Sequence, residues 1–333
     1  MTRTRTTERR APTASVAAIE AQGHAVTVRD LVKTYPGPDG RSVIAVDGLS
    51  FEVGHGEIFG LLGPNGAGKT TTLEIIEGLR EPTSGQAFVL GFDSKLDRAR
   101  VKERIGVQLQ AQAYFGTLTL EEILELFGSL YPQRAVPGEL LQLVGLSEKR
   151  TSLVKHLSGG QARRFSVAAS LVNKPDVVFL DEPTTGLDPQ ARRSLWELIR
   201  SMNREEGKTV ILTTHYLEEA QALADRVAII DNGRIQALDT PSRLIRTLAG
   251  GSRVRFAASS HIDAGELEAL PGVAAVDKDR DGFYEVRVES ASATMPALMR
   301  WSEDRAIELR DLQVDPASLE DVFLSVTGRT IRD

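Results

Sequence analysis

The sequence predicts an α/β protein built on a mainly parallel sheet. Three observations carry this expectation. Short unbroken apolar runs at residues 177–180, 209–213 and 227–230 read as strands buried on both faces. Helical stretches at 190–203 and 216–224 separate them, which is the alternation of a parallel sheet. A further apolar run, 57–62, enters a glycine-rich loop, and 69–77 reads as the helix that follows it, with Gly78 placed to end it.

The remaining elements fall around that core. Residues 25–28 and 43–53 read as strands about a turn at 36–40, rich in Pro and Gly. Strands are expected at 86–90 and 105–109. Residues about 111–172 change character and read as an all-α insertion. In it, Thr119-Leu120-Glu121-Glu122 fits a capping box that opens a helix through Tyr131, and further helices are expected at 139–144 and 161–171. Pro175 ends the insertion. Gly250-Gly251-Ser252 reads as a linker. Beyond it the pattern is strand 253–257, helix 263–270, strands 274–277 and 283–288, helix 294–301, strand 306–309 and helix 317–326. That order, β-α-β-β-α-β, is the ferredoxin-like split unit. The organisation expected is therefore a tail over 1–23, a main domain over 24–248, and a small α+β domain over 252–333.

Composition narrows the function. Of 333 residues, 41% are hydrophobic, enough for a real core. The 40 basic and 46 acidic residues leave a net charge of −6, which argues against a nucleic-acid-binding surface. Without cysteine there is no disulfide framework and no thiolate metal site, and the five histidines are scattered singly. No apolar run approaches the ~18 residues of a membrane helix. If the protein moves something across a membrane, the pore belongs to another chain. Arg9-Arg10 is followed by no apolar segment that would make it an export signal.

Five motifs stand in order. Gly63-Pro64-Asn65-Gly66-Ala67-Gly68-Lys69-Thr70 fits G-x-x-x-x-G-K-[ST]. A triphosphate is held by backbone N–H groups at a helix N-terminus, and glycines let the backbone wrap it closely. Lys69 supplies charge to the β- and γ-phosphates, and Thr70 a hydroxyl to Mg²⁺. Gln110 comes next, with Gln108 and Gln112 two residues to either side. Leu157-Ser158-Gly159-Gly160-Gln161 reads as a serine-capped helix start, a second anion-binding end. Asp181-Glu182 closes an apolar strand, and His215 closes another. Taken alone, an Asp-Glu pair suits a solvated strand end and a single histidine a structural role. Lys69 and Thr70 upstream reverse those odds.

In this order the motifs resemble those of the ATP-binding subunits of ABC (ATP-binding cassette) transporters, over about residues 25–245. Tyr35 and Gly186-Leu187-Asp188 add to the resemblance. The tail Pro316-Ala317-Ser318-Leu319-Glu320-Asp321-Val322-Phe323-Leu324 is similar to the end of cassettes serving ABC-2-type exporters, the daunorubicin-resistance kind among them.

The resemblance implies a P-loop NTPase cassette with a parallel core sheet, an antiparallel β subdomain and the helical insertion. It implies ATP and Mg²⁺ as ligands. Gly63, Pro64, Asn65, Gly66, Ala67, Gly68, Lys69, Thr70 and Thr71 would hold ATP, with Tyr35 stacked on adenine. A packed strand-end tyrosine is the plainer reading of Tyr35. Thr70, Gln110 and Asp181 would sit at the metal. Glu182 would orient and polarise the attacking water, Gln110 would reach metal and water, and His215 would contact the γ-phosphate. Ser158, Gly159, Gly160 and Gln161 would close over ATP held by a second copy, and Asp188 would cross that interface.

The partners implied are a second copy of the chain and a separate transmembrane permease, with no nucleic acid. The place implied is the cytoplasmic face of the membrane, peripherally. Tyr114 and Phe115 have two readings: facing a groove that accepts a helix of the permease, or packing within the insertion. Two other functions stay open at this point, a soluble cassette ATPase acting on ribosomes or DNA, and a ligand-regulated nucleotide-binding module.

Overall fold

The computed structural model describes residues 23–37, 41–108, 114–248, 251–279 and 282–328. The tail through residue 22, the turn positions 38–40, Gln110 with Gln112, and Gly250 of the linker lie outside the described residues.

Strands β1 (Val26–Pro36), β2 (Ser42–Val53) and β3 (Ile58–Leu62) precede helix α1 (Lys69–Ile76). Next come β4 (Ser84–Val89), β5 (Phe92–Asp93), α2 (Arg98–Arg104) and β6 (Ile105–Gln108). The helical stretch holds α3 (Leu120–Gly128), α4 (Pro137–Leu143) and α5 (Gly159–Ser170). After it run β7 (Val177–Asp181), α6 (Pro189–Arg204), β8 (Thr209–Thr214), α7 (Leu217–Leu223), β9 (Arg226–Asp231), β10 (Arg234–Asp239) and α8 (Pro241–Leu248). The chain continues through β11 (Ser252–Ala258), α9 (Ala264–Glu268), β12 (Val273–Lys278), β13 (Tyr284–Val288), α10 (Ala291–Asp304), β14 (Leu309–Asp315) and α11 (Leu319–Thr327).

Contacts gather these elements into two units, residues up to 57 with 70–211, and residues 58–69 with 212–333. The first unit holds an antiparallel sheet in the order β2-β1-β4-β5 and a parallel pair, β6 with β7. Strand β1 is longer than the expected 25–28. Register shifts around Asp30, whose φ is 46°, carry it on to Pro36, and the polar pairs Arg29-Asp30 and Lys33-Thr34 break the apolar alternation there. The capping box at Thr119 forms: its hydroxyl accepts from Glu122 N, and Thr119 N donates to Glu122 Oε2 at 2.8 Å. Leu120, Ile123 and Leu124 of α3 are buried, as are Phe165, Val167 and Ala168 of α5.

The second unit pairs β3 with β9 in parallel and β9 with β10 antiparallel. Its C-terminal part is a four-stranded sheet, β12-β13-β11-β14, with every neighbouring pair antiparallel. One apolar cluster lies on this sheet, with Val254, Phe256, Val286 and Val288 against Leu298 and Trp301 of α10. The strand expected at 306–309 is displaced: Ala306 has φ 52° and turns the chain, and β14 begins at Leu309. Helix α11 belongs to a different cluster. Its Leu319, Val322 and Phe323 are buried with Leu62, Ala220, Val227, Ile229 and Leu244. An ion pair of 3.0 Å between Arg253 and Asp321 ties it to β11.

Candidate active site

Strand β3 delivers the chain to the glycine-rich loop. Gly63 is fixed by its N–H donating to Thr214 O at 3.2 Å. A Cβ there would stand 2.3 Å from the Ile230 carbonyl oxygen, so only glycine fits. Gly66 and Gly68 have φ of 80° and 101°, which bend the loop back on itself. Lys69 is buried, and its Nζ donates to Gly63 O at 2.7 Å and Pro64 O at 3.0 Å. The ammonium is thus held across the loop by two of its own carbonyls. Pro64 and Ala67 are buried, whereas Asn65 and Gly66 are exposed on the rim. His215 follows β8 in the same unit. Its ring lies 4.1 Å from that of Tyr216, whose N–H donates to Thr214 Oγ1 at 2.9 Å.

In the other unit, Thr70 and Thr71 lie in the first turn of α1, Asp181 ends β7 and Glu182 follows it. Thr70 Oγ1 donates to Asp181 Oδ1 and Oδ2 at 3.3 and 3.2 Å. Both carboxylates are buried. Glu182 sits at φ 47°, an unusual conformation for this side chain. Its Oε2 accepts from Thr185 Oγ1 at 3.1 Å, and its carbonyl from Arg163 Nη2 at 3.1 Å. Glu77, the residue that follows α1, is buried next to Asp181 and Glu74. Burial first, then those two carboxylates, push its pKa up to about 8. A hydroxyl paired with a carboxylate is an all-oxygen donor set, the kind Mg²⁺ takes. Taken separately, the glycine loop fits a phosphate and this pair fits a divalent metal.

Ser158 caps α5 with a second capping box: Gln161 N donates to Ser158 Oγ at 3.3 Å, and Ser158 N to Gln161 Oε1 at 3.0 Å. Asp188 caps α6, its Oδ1 accepting from Gln190 N and Ala191 N at 3.0 and 2.9 Å. The two helix starts meet closely. A Cβ on Gly160 would come within 3.0 Å of Ala191 Cβ. Between them runs a groove of about 450 Å³, lined by Ser158, Gly159, Gly160, Gly186 and Asp188 among others. The start of α5, with Arg164 on the same lining, gives this groove its attraction for an anion, while the start of α6 is already met by the Asp188 carboxylate.

Tyr35 lies within β1 and is half-buried. Gln108 is wholly buried at the end of β6, in register with Leu180, and Gln110 lies outside the described residues. Tyr114 packs on Phe165 and Phe127, with ring centroids 5.2 and 6.2 Å away, so it belongs to the insertion, and burial raises its pKa. Phe115 is exposed. The sequence reading missed Glu77, Arg163 and Thr185. The roles of Glu77 and Arg163 come from contacts between separate segments, whereas Thr185 stands three residues after Glu182 and its contact is local.

Comparison with known proteins gives the family of the chain. The family described as "ABC transporter" matches residues 46–185, and "ABC transporter domain-containing protein-like, C-terminal domain" matches 252–318. The chain is 37% identical to a linearmycin resistance ATP-binding protein of Bacillus subtilis, over 86% of this chain and 95% of that one. It is 38% identical to a daunorubicin/doxorubicin resistance ATP-binding protein of Streptomyces peucetius, over 93% and 94% of the two chains. Among solved structures it is similar to a dimeric ATP-binding cassette in a post-hydrolysis state bound to ADP and Pi. That match has a TM-score of 0.59 and 26% identity, and covers 65% of this chain and 98% of that one. The chain belongs to the family of ABC transporter ATP-binding proteins, and it is an ATPase of the exporter kind.

Proposed function

We propose that two copies of this chain close head to tail around two ATP molecules and drive a separate transmembrane permease that exports a drug-like or lipid-like cargo. One observation carries the reading. The chain has one phosphate loop, yet it also presents a second anion-attracting groove where α5 and α6 begin. A single ATP cannot need two cradles. A C₂ pair uses both, since each copy then gives its loop to one ATP and its Ser158 groove to the other.

Within each composite site the residues divide the work. Gly63–Gly68 wrap the phosphates, and Lys69 turns from the loop carbonyls to the β- and γ-phosphates. Thr70 and Asp181, with Gln110, would hold Mg²⁺, which would neutralise developing phosphate charge. Glu182, its carboxylate fixed by Thr185, orients the attacking water. His215 contacts the γ-phosphate, Tyr35 stacks on adenine, and Ser158, Gly159, Gly160 and Gln161 cap the partner copy's ATP. Asp188 sits where the two copies meet. Arg163 joins helix α5 to the Glu182 carbonyl, so the capping helix and the catalytic strand end move as one piece.

No described helix is long and apolar enough to cross a membrane. An apolar groove of about 410 Å³, lined by Leu79, Val107, Phe127, Leu130 and Tyr131, suits a short helix of the permease. Leu79 and Leu130 are exposed on its edge. The protein then works at the cytoplasmic face of the membrane. Residues 252–315 form an accessory domain, and α11 seats it on the cassette. The test is reconstitution with a permease in vesicles: ATPase activity should rise with the permease present, and Leu130→Asp should abolish that rise while leaving basal turnover. An unchanged rise in Leu130→Asp would place the docking elsewhere.

A further inference from the structure

Beside Tyr35 the fold gathers two cations to which the roles above give no task. Lys33 Nζ lies 5.3 Å and Arg80 Cζ 5.4 Å from the centroid of the Tyr35 ring. Both are within the roughly 6 Å reach of a cation–π contact. Both are also anchored. Lys33 Nζ donates to the Glu81 carbonyl at 2.8 Å. Arg80 Nε donates to Glu74 Oε2 at 2.5 Å, and that hydrogen bond raises the guanidinium pKa further. Glu74 rides on α1, one helical turn beyond Thr70.

We propose that Arg80 is a positioning residue for the adenine of ATP. Anchored by Glu74, it fixes the Tyr35 ring on which the base stacks. The proposal rests on Tyr35 being the adenine-side ring. Base stacking on a ring is tolerant of small shifts, so its strength depends on how firmly the ring is held. Here the ring is tied, through Arg80 and Glu74, to the helix whose first turn carries the Thr70–Asp181 pair. One helix therefore sets both where the base lies and where the metal-side hydroxyl lies. A ring packed only as core is held by apolar neighbours. This one is held by a cation from across 45 residues of chain that is itself neutralised by a helix carboxylate.

The test is a double-mutant cycle on the full-length protein, read as KM for ATP, kcat, and inhibition by inorganic tripolyphosphate, which has no base. Arg80→Met and Arg80→Gln should each raise KM roughly two- to fivefold, the worth of one exposed cation–π contact. The effect should fall on KM rather than kcat and leave tripolyphosphate inhibition unmoved. Arg80→Lys should recover most of the loss. Tyr35→Ala should raise KM too, and adding Arg80→Met to it should cost nothing more. The Arg80 side chain is 38% exposed, so these variants keep the fold. If Tyr35→Ala raises KM and neither Arg80 variant does, the ring reading stands and the proposal is overturned. If Tyr35→Ala changes nothing, the ring reading fails and the proposal with it. Equal weakening of ATP and tripolyphosphate would make Arg80 a phosphate contact and also overturn it.

Discussion

Thr70 donates its hydroxyl to both carboxylate oxygens of Asp181, at 3.3 and 3.2 Å, across 111 positions of chain. The first turn of α1 and the end of β7 are thereby joined at the two side chains best suited to a shared divalent cation. Glu182, the next residue, is held by Thr185 rather than left to swing.

Replacing Glu182 with Gln keeps the shape and removes the carboxylate that positions water. Hydrolysis should fall about 10²- to 10⁴-fold, the worth of a positioned base, while ATP binding survives. The variant should accumulate as an ATP-bound dimer on size exclusion. Near-normal turnover would remove Glu182 from the chemistry.

Lys69→Ala should act on binding itself. A charge-assisted phosphate contact is worth about 1.5–3 kcal/mol, so ATP affinity by calorimetry should drop roughly 10- to 150-fold. Unchanged affinity would mean that the ammonium stays on Gly63 and Pro64 when nucleotide binds.

Glu77 gives a pH signature. Its folded pKa is pushed up to about 8 from 4.5, by burial foremost. Between those values the folded protein holds a proton that the unfolded chain has released. The stability due to it is full below about pH 4.5 and is lost as pH rises to about 8. Glu77→Gln has no such proton to lose. Urea midpoints should show the variant gaining on the parent between about pH 5 and 8.5, by on the order of a few kcal/mol. Parallel pH profiles would contradict the buried, protonated state.

Helix α11 predicts a contrast between neighbours. Phe323 is 1% exposed in the cluster with Leu62 and Ala220, and Leu324 is 47% exposed. Phe323→Ala should cost about 3–5 kcal/mol, and Leu324→Ala about 0.5 or less, both by chemical unfolding. Deleting 252–333 should destabilise the remaining cassette, because it strips the apolar cover from Leu62, Ala220 and Leu244. Deleting it without loss would make residues 252–333 one separable domain.

What the sequence made legible was local. The glycine loop, the capping box at Thr119, the serine cap at Ser158 and the short apolar strands are each written within a few residues. Features assembled from afar were not legible. Strand β1 runs on through Lys33 and Thr34 because β2 pairs with it there, and no apolar alternation marks that stretch. Strand β10 follows β9 through a two-residue turn at Asn232-Gly233, a hairpin signal that is local but short. Glu77 looks like any helix glutamate until Asp181 is brought beside it. Helix α11 looks like the end of a C-terminal domain until Leu62 and Leu244 are found beneath it.

The central claim is that Ser158 of one copy completes the Lys69 loop of the other. Lys69→Ala and Ser158→Arg should each be inactive as homodimers, since both composite sites are damaged. A mixed dimer of the two contains one intact site and one site carrying both lesions. Mixing the two inactive proteins, with subunit exchange verified, should restore partial ATPase activity, and ATP should bind with retained affinity at one site per mixed dimer. If verified mixed dimers show neither activity nor that half-site binding, the two motifs do not meet across an interface.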